Sequence, residues 1–97
     1  MDIALLYFND CPNWKIAAER LENIATRRGL AVEARLVSTP EEAEAAGFRG
    51  SPTILVDGRD PFAAGDEPFG LACRVYQTPD GPAGSPTTEQ LEAVLDA

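Results

Sequence analysis

Six consecutive apolar residues, 3–8, follow Met1 and Asp2. A run without polar interruption predicts a strand buried on both faces. Over residues 12–28 the period changes. Trp14, Ala18, Leu21 and Ala25 recur at helical spacing with Ala17 and Ile24 beside them, while Lys15, Glu19, Arg20, Glu22 and Arg27 take the other side. This predicts an amphipathic helix, with Pro12 near its first position and Gly29 just past its end. Residues 31–37 alternate, Val32, Ala34 and Leu36 against Glu33 and Arg35, which predicts a half-buried strand. Thr39-Pro40-Glu41-Glu42 is a capping box opening a short helix that ends at Gly47. Residues 53–56 are a second wholly apolar strand, closed by the turn pair Asp57-Gly58. Residues 59–70 are irregular, 71–76 read as a strand with Leu71, Cys73 and Val75 on one face, and 78–86 are rich in turn residues. A last helix, capped by Ser85 or Thr87, buries Leu91, Val94 and Leu95.

The predicted order is β-α-β-α-β-(long loop)-β-α, an α/β protein forming a single domain over residues 1–97. A helical crossover makes the first two strands parallel, with right-handed connection. Because only the first and third strands are apolar throughout, they should occupy the middle of a four-stranded mixed sheet. The expected order is second, first, third, fourth, flanked by helices, with residues 59–70 as an inserted loop.

Charge narrows the partners. With 8 basic residues, scattered, against 16 acidic ones, the net charge is −8. Such a surface repels phosphate backbones and anionic lipid, so no nucleic acid and no membrane partner is expected. The run 3–8 is too short to span a bilayer and lacks the basic residues of a secretory signal, so the expected location is cytoplasmic. The chain has 2 Cys and no His. That excludes Ser-His and Cys-His dyads, a His-ligated metal and a structural zinc site; no metal and no cofactor is expected. A reducing compartment argues that Cys11 and Cys73 are free thiols at rest.

Asp10-Cys11-Pro12-Asn13-Trp14 places Cys11 where the first strand ends and the helix begins. Unpaired N–H groups and the positive end of the dipole favour a thiolate there. A thiol of pKa about 8.5 is about 3% ionised at pH 7, whereas a value near 6.5 gives roughly three quarters. Asp10 opposes the charge; Arg49 and Lys15 are the cations available to offset it. The plainer alternative is a small buried hydrophobe at a strand end.

Gly47-Phe48-Arg49-Gly50-Ser51-Pro52-Thr53, followed by Ile54-Leu55-Val56, resembles the thioredoxin segment that carries the cis-proline. Cys11 stands where that superfamily has its first, nucleophilic cysteine. The resemblance is to small bacterial thioredoxin-like proteins with Cys-Pro-x-Trp in place of Cys-x-x-Cys. It implies a βαβαββα fold and thiol–disulfide oxidoreductase or redox-sensing chemistry with a protein or small-molecule thiol or disulfide as partner. Cys11 would be the reactive group, and Pro12, Trp14, Arg49, Ser51 and Pro52 the substrate-binding surface. A cis bond at Pro52 would leave the Ser51 backbone free to hold a partner by short β-like pairing. Pro52 as an ordinary loop proline is the alternative, as is Trp14 as core packing rather than a wall beside Cys11.

The departure is Trp14, which stands where a resolving cysteine is needed. Either a small thiol resolves the adduct, or Cys73 does, or nothing turns over. In a fourth strand, Cys73 would lie roughly 10 Å back from the active end and two strands away from the first. A disulfide needs Cα atoms within about 7 Å, so pairing with Cys11 is not expected unless the insertion carries Cys73 round. Some relatives of this type are labelled alkylmercury lyase, which implies soft-metal or organomercurial handling through Cys11 and Cys73 as one alternative. A non-catalytic binding module using the 59–70 loop, where Phe62 and Phe69 pack down or face a partner, is another.

Overall fold

In the computed structural model, which describes residues 1–63 and 68–96, the first apolar run forms β1 (Ile3–Tyr7). It pairs in parallel with β2 (Val32–Leu36) and antiparallel with β3 (Thr53–Val56). Alternate residues of β1 serve two different cores. Ile3 and Leu5 join Leu21 and Ile24 of α1 (Trp14–Arg28), Leu91 and Leu95 of α3 (Thr88–Asp96), and Ile54. Leu6 points the other way, into Val37, Phe48 and Ala43 of α2 (Pro40–Ala46). A layer on each face explains why β1 has no polar position.

The helix ends follow their local chemistry. Thr39 Oγ1 accepts from Glu42 N at 3.1 Å, as the capping box requires, and α2 closes on Gly47 in the left-handed region. Of the two candidate caps for α3, Thr87 fills the role. Its Oγ1 accepts from Gln90 N at 3.1 Å, while Gln90 Oε1 accepts from Thr87 N at 3.0 Å. The start of α1 differs from expectation. The helix begins at Trp14, and Asn13 makes no side-chain cap. Pro12 belongs to a preceding turn in which Lys15 N donates to Pro12 O at 3.1 Å.

The sheet is smaller than predicted. Among the described residues it has three strands in the order β2-β1-β3, and β4 (Tyr76–Thr78) pairs antiparallel with β5 (Gly81–Ala83) as a separate hairpin. Thus β3, expected in the middle, has no fourth strand beyond it. Residues 71–75 form no strand of this sheet; among the described residues their β-pairing is the isolated bridge of Ser51 with Cys73. Of the expected inward face, Leu71, Cys73 and Val75, only Leu71 packs inward, against the Leu6–Phe48 core, and beyond it the parity is reversed. Val75 is 64% exposed, whereas Arg74 and Tyr76 are buried. Arg74 is tolerated inside because it has a carboxylate partner, described below. The half-buried reading of β2 also fails: only Val32 is partly covered and Leu36 is 44% exposed. Residues 59–63 and 68–70 are irregular as expected; the rest of that insertion lies outside the described residues. Among the described residues no helix is long and apolar enough to cross a membrane.

Candidate functional site: a disulfide on the Ser51 backbone

The segment before β3 is rigidly specified. Gly50 takes φ +110° and lies directly on the backbone of Arg74, where an added Cβ would come within 2.9 Å of the Arg74 Cβ. Only glycine suits both the dihedral and the contact. Thr53 Oγ1 donates to Gly50 O at 2.6 Å and accepts from Arg49 N at 3.1 Å, closing the loop over its own backbone. The Ser51–Pro52 peptide is cis. Ser51 is fully buried, and its Oγ accepts from Phe8 N at 3.0 Å, tying this loop to the end of β1.

That tie brings Cys11 to Ser51. Cys11 N donates to Phe8 O at 3.1 Å, and Cys11 Sγ lies 3.8 Å from Ser51 O. The predicted meeting of Cys11 with the proline segment is therefore present. The state of the sulfur is not the predicted one. Cys11 is 1% exposed and bonded to Cys73, with Cα atoms 5.7 Å apart, and neither cysteine is a free thiol. Two expectations are corrected here, free cysteines and a Cys73 out of reach. The reason is the missing fourth strand. Residues 72–74, not constrained to run along β3, pair in parallel with Ser51 just before that strand.

The Ser51 backbone is correspondingly not open to a partner. Ser51 N donates to Ala72 O at 2.7 Å, and Ser51 O accepts from Arg74 N at 3.1 Å. The protein's own chain takes both groups, with Cys73 between them. Two further contacts hold it there. Tyr76 Oη donates to Pro52 O at 2.5 Å. Arg74 places Nη1 2.6 Å and Nη2 3.4 Å from the two oxygens of Asp60, a forked pair whose side chains are 5% and 2% exposed.

The remaining candidates divide. Arg49 lies 3.7 Å from the same Asp60 carboxylate, stacks over Phe69 at 5.0 Å, and borders the cleft that Cys73 also borders. It is thus engaged with Asp60. Pro12 is exposed beside Cys11. Trp14 stacks on Tyr7, ring centres 4.3 Å apart, and packs on the α1 core, which is the packing alternative. Phe62 packs down edge-to-face on Tyr76 at 5.3 Å, whereas Phe69 stays 47% exposed.

Sequence reasoning missed Asp60, Arg74, Gly50 and Tyr76. An arginine between Cys73 and Val75 reads as the polar side of a strand, and nothing in the spacing links it to an aspartate fourteen residues earlier. The signal available was Gly50 beside Ser51-Pro52, a glycine where backbones come close. Among the described residues no group of three or more His, Cys, Asp or Glu side chains gathers as a metal site. No protein-family model matches the chain, nor does any curated protein or solved structure.

Proposed function

We propose that the chain is a thioredoxin-like domain performing thiol–disulfide exchange through Cys11 and Cys73, a dithiol whose members lie far apart in sequence. The observation that carries it is the bridge itself, seated on Ser51 immediately before a cis-proline. The β2-β1-β3 order, with one parallel and one antiparallel neighbour of β1, supports the fold assignment. Cys73 replaces the resolving thiol that Trp14 displaces from the motif, so a monothiol route is not required. The partner class is a protein or small-molecule thiol or disulfide. In a reducing cytoplasm such a bridge would be transient, as catalytic and sensing disulfides are.

Equilibration with glutathione buffers of graded ratio tests this, reading bridged and open forms by alkylation and the fold by circular dichroism. The expected result is a reversible two-electron transition within the folded protein, absent in C11S and C73S. A bridge that opens only when the protein unfolds would make it a staple and end the reading.

The convergence of the two sulfurs also favours a second reading, capture of a soft metal by the reduced pair. One equivalent of Hg(II) retained by reduced wild type, and lost in either single variant, would support it.

A further inference from the structure

The two sulfurs are not equivalent. Cys11 is 1% exposed, whereas Cys73 is an exposed residue. A cleft of about 240 Å³ opens against Cys73, between Phe69, Val75 and Gly50, and Cys11 does not border it. Exchange requires an incoming thiolate to reach one sulfur of the bridge, and access decides which.

We infer that Cys73, not Cys11, is the sulfur that partners meet, with Cys11 as the inner, leaving and resolving sulfur. This rests on the exchange reading and reverses the roles that the resemblance implies. In the forward step a thiolate RS⁻ attacks Cys73 Sγ; the R–S–S–Cys73 bond forms, the Cys11–Cys73 bond breaks, and the electron pair leaves on Cys11. Cys11 takes up the proton that the incoming thiol gave to solvent, and its S–H then faces the Ser51 carbonyl, an acceptor 3.8 Å away. A second RS⁻ attacks the R sulfur of the mixed disulfide, releasing RSSR and the Cys73 thiolate. Two thiols are oxidised and one bridge is reduced. In the bridged protein the backbone bonds of Ser51 with Ala72 and Arg74 seat Cys73 opposite Cys11, the placement that a return attack by Cys11 on Cys73 requires.

The test uses oxidised wild-type protein with 2-mercaptoethanol, quenched early with N-ethylmaleimide. Trypsin separates Cys11, in residues 1–15, from Cys73, in residues 60–74. The expected product carries the mercaptoethanol on Cys73 and the maleimide on Cys11, at least tenfold over the reverse. The reverse pattern, or equal amounts, overturns the attack order and leaves the exchange reading standing. Absence of any mixed disulfide in folded protein, with reduction only on unfolding, overturns both. As a second measure, Cys73 in C11S should react with a chromogenic aryl disulfide at the rate of an exposed thiol, and Cys11 in C73S at least tenfold more slowly. Equal rates in folded variants would count against the assignment.

Discussion

Residues 1–56 and residues 57–83 are held by different means. In the first region apolar side chains at regular spacing decide the structure. Ile3, Leu5, Leu21 and Ile24 close one core, Leu6 and Phe48 the other, and each could exchange with a hydrophobe of similar size at modest cost. In the second region among the described residues, few side chains are deeply buried, and Arg74 and Tyr76 both carry polar groups with one specified acceptor each. Burial by area is non-directional and tolerant, whereas a buried charge needs its particular partner. The irregular half is therefore the more exacting one, and it carries Cys73.

Removing that partner is the largest expected perturbation. Asp60→Ala leaves the Arg74 guanidinium, 5% exposed, without its fork. Loss of one member of a buried pair costs about 3–5 kcal/mol. For a domain of this size each kcal/mol moves Tm by roughly 4–8 °C. Thermal unfolding of the oxidised protein, followed by circular dichroism, should show such a fall. A Tm within a degree or two of wild type would mean that the 57–83 region is held mainly by its disulfide, and the contrast drawn above would collapse.

The same contrast explains what was legible beforehand. The strands at 3–7 and 53–56, the capping box at Thr39, and the helix over Trp14–Arg28 announce themselves because each repeats a short-range rule several times. The meeting of Cys11 with the Pro52 loop was legible only as what the resemblance implies; the antiparallel pairing of β1 with β3 is what brings the two together. Residues 71–76 misled for the opposite reason. Three apolar residues at alternate positions imitate a strand, yet Val75 faces solvent and Arg74 faces inward. That parity is set by Asp60, Ser51 and Pro52, contacts distant in sequence that no local period encodes. The Cys11–Cys73 bridge was illegible for the same reason, because a regular fourth strand would carry Cys73 out of reach of Cys11.

A smaller effect probes the seam between the two regions. Gly50→Ala asks an L side chain to adopt φ +110° and sets its Cβ 2.9 Å from the Cβ of Arg74, 3.2 Å from its Cα. Backbone strain of this kind costs about 1–3 kcal/mol. Urea unfolding should show the loss in both oxidised and reduced protein, since the Arg74–Asp60 fork and the Ser51 bonds keep the segment seated whichever state the sulfurs are in. A loss confined to the oxidised form would show instead that reduction frees residues 72–74 from Ser51, so that the bridge rather than the fork sets their position.

The smallest effect comes from an ion pair of the same chemistry that ties the regular region to α3. Arg28 Nη1 at the end of α1 donates to Asp96 Oδ1 at the end of α3 at 2.5 Å, but the Asp96 side chain is 63% exposed. That hydrogen bond holds the Asp96 carboxyl below its ordinary value of 3.8, with burial opposing and the Arg28 charge assisting. A carboxyl lowered by folding contributes stability above its unfolded value, and the contribution disappears as pH falls through the folded one. Asp96→Asn should therefore be slightly less stable than wild type at neutral pH and low salt, and indistinguishable from it well below pH 3.8. Added salt at neutral pH should close the same gap, because exposed pairs are screened. Salt should leave the Asp60→Ala deficit in place, since water and ions do not reach a carboxylate 2% exposed. Equal salt sensitivity of the two deficits would show that the Asp60–Arg74 pair opens to solvent, and that the buried partner contact does not distinguish the two halves.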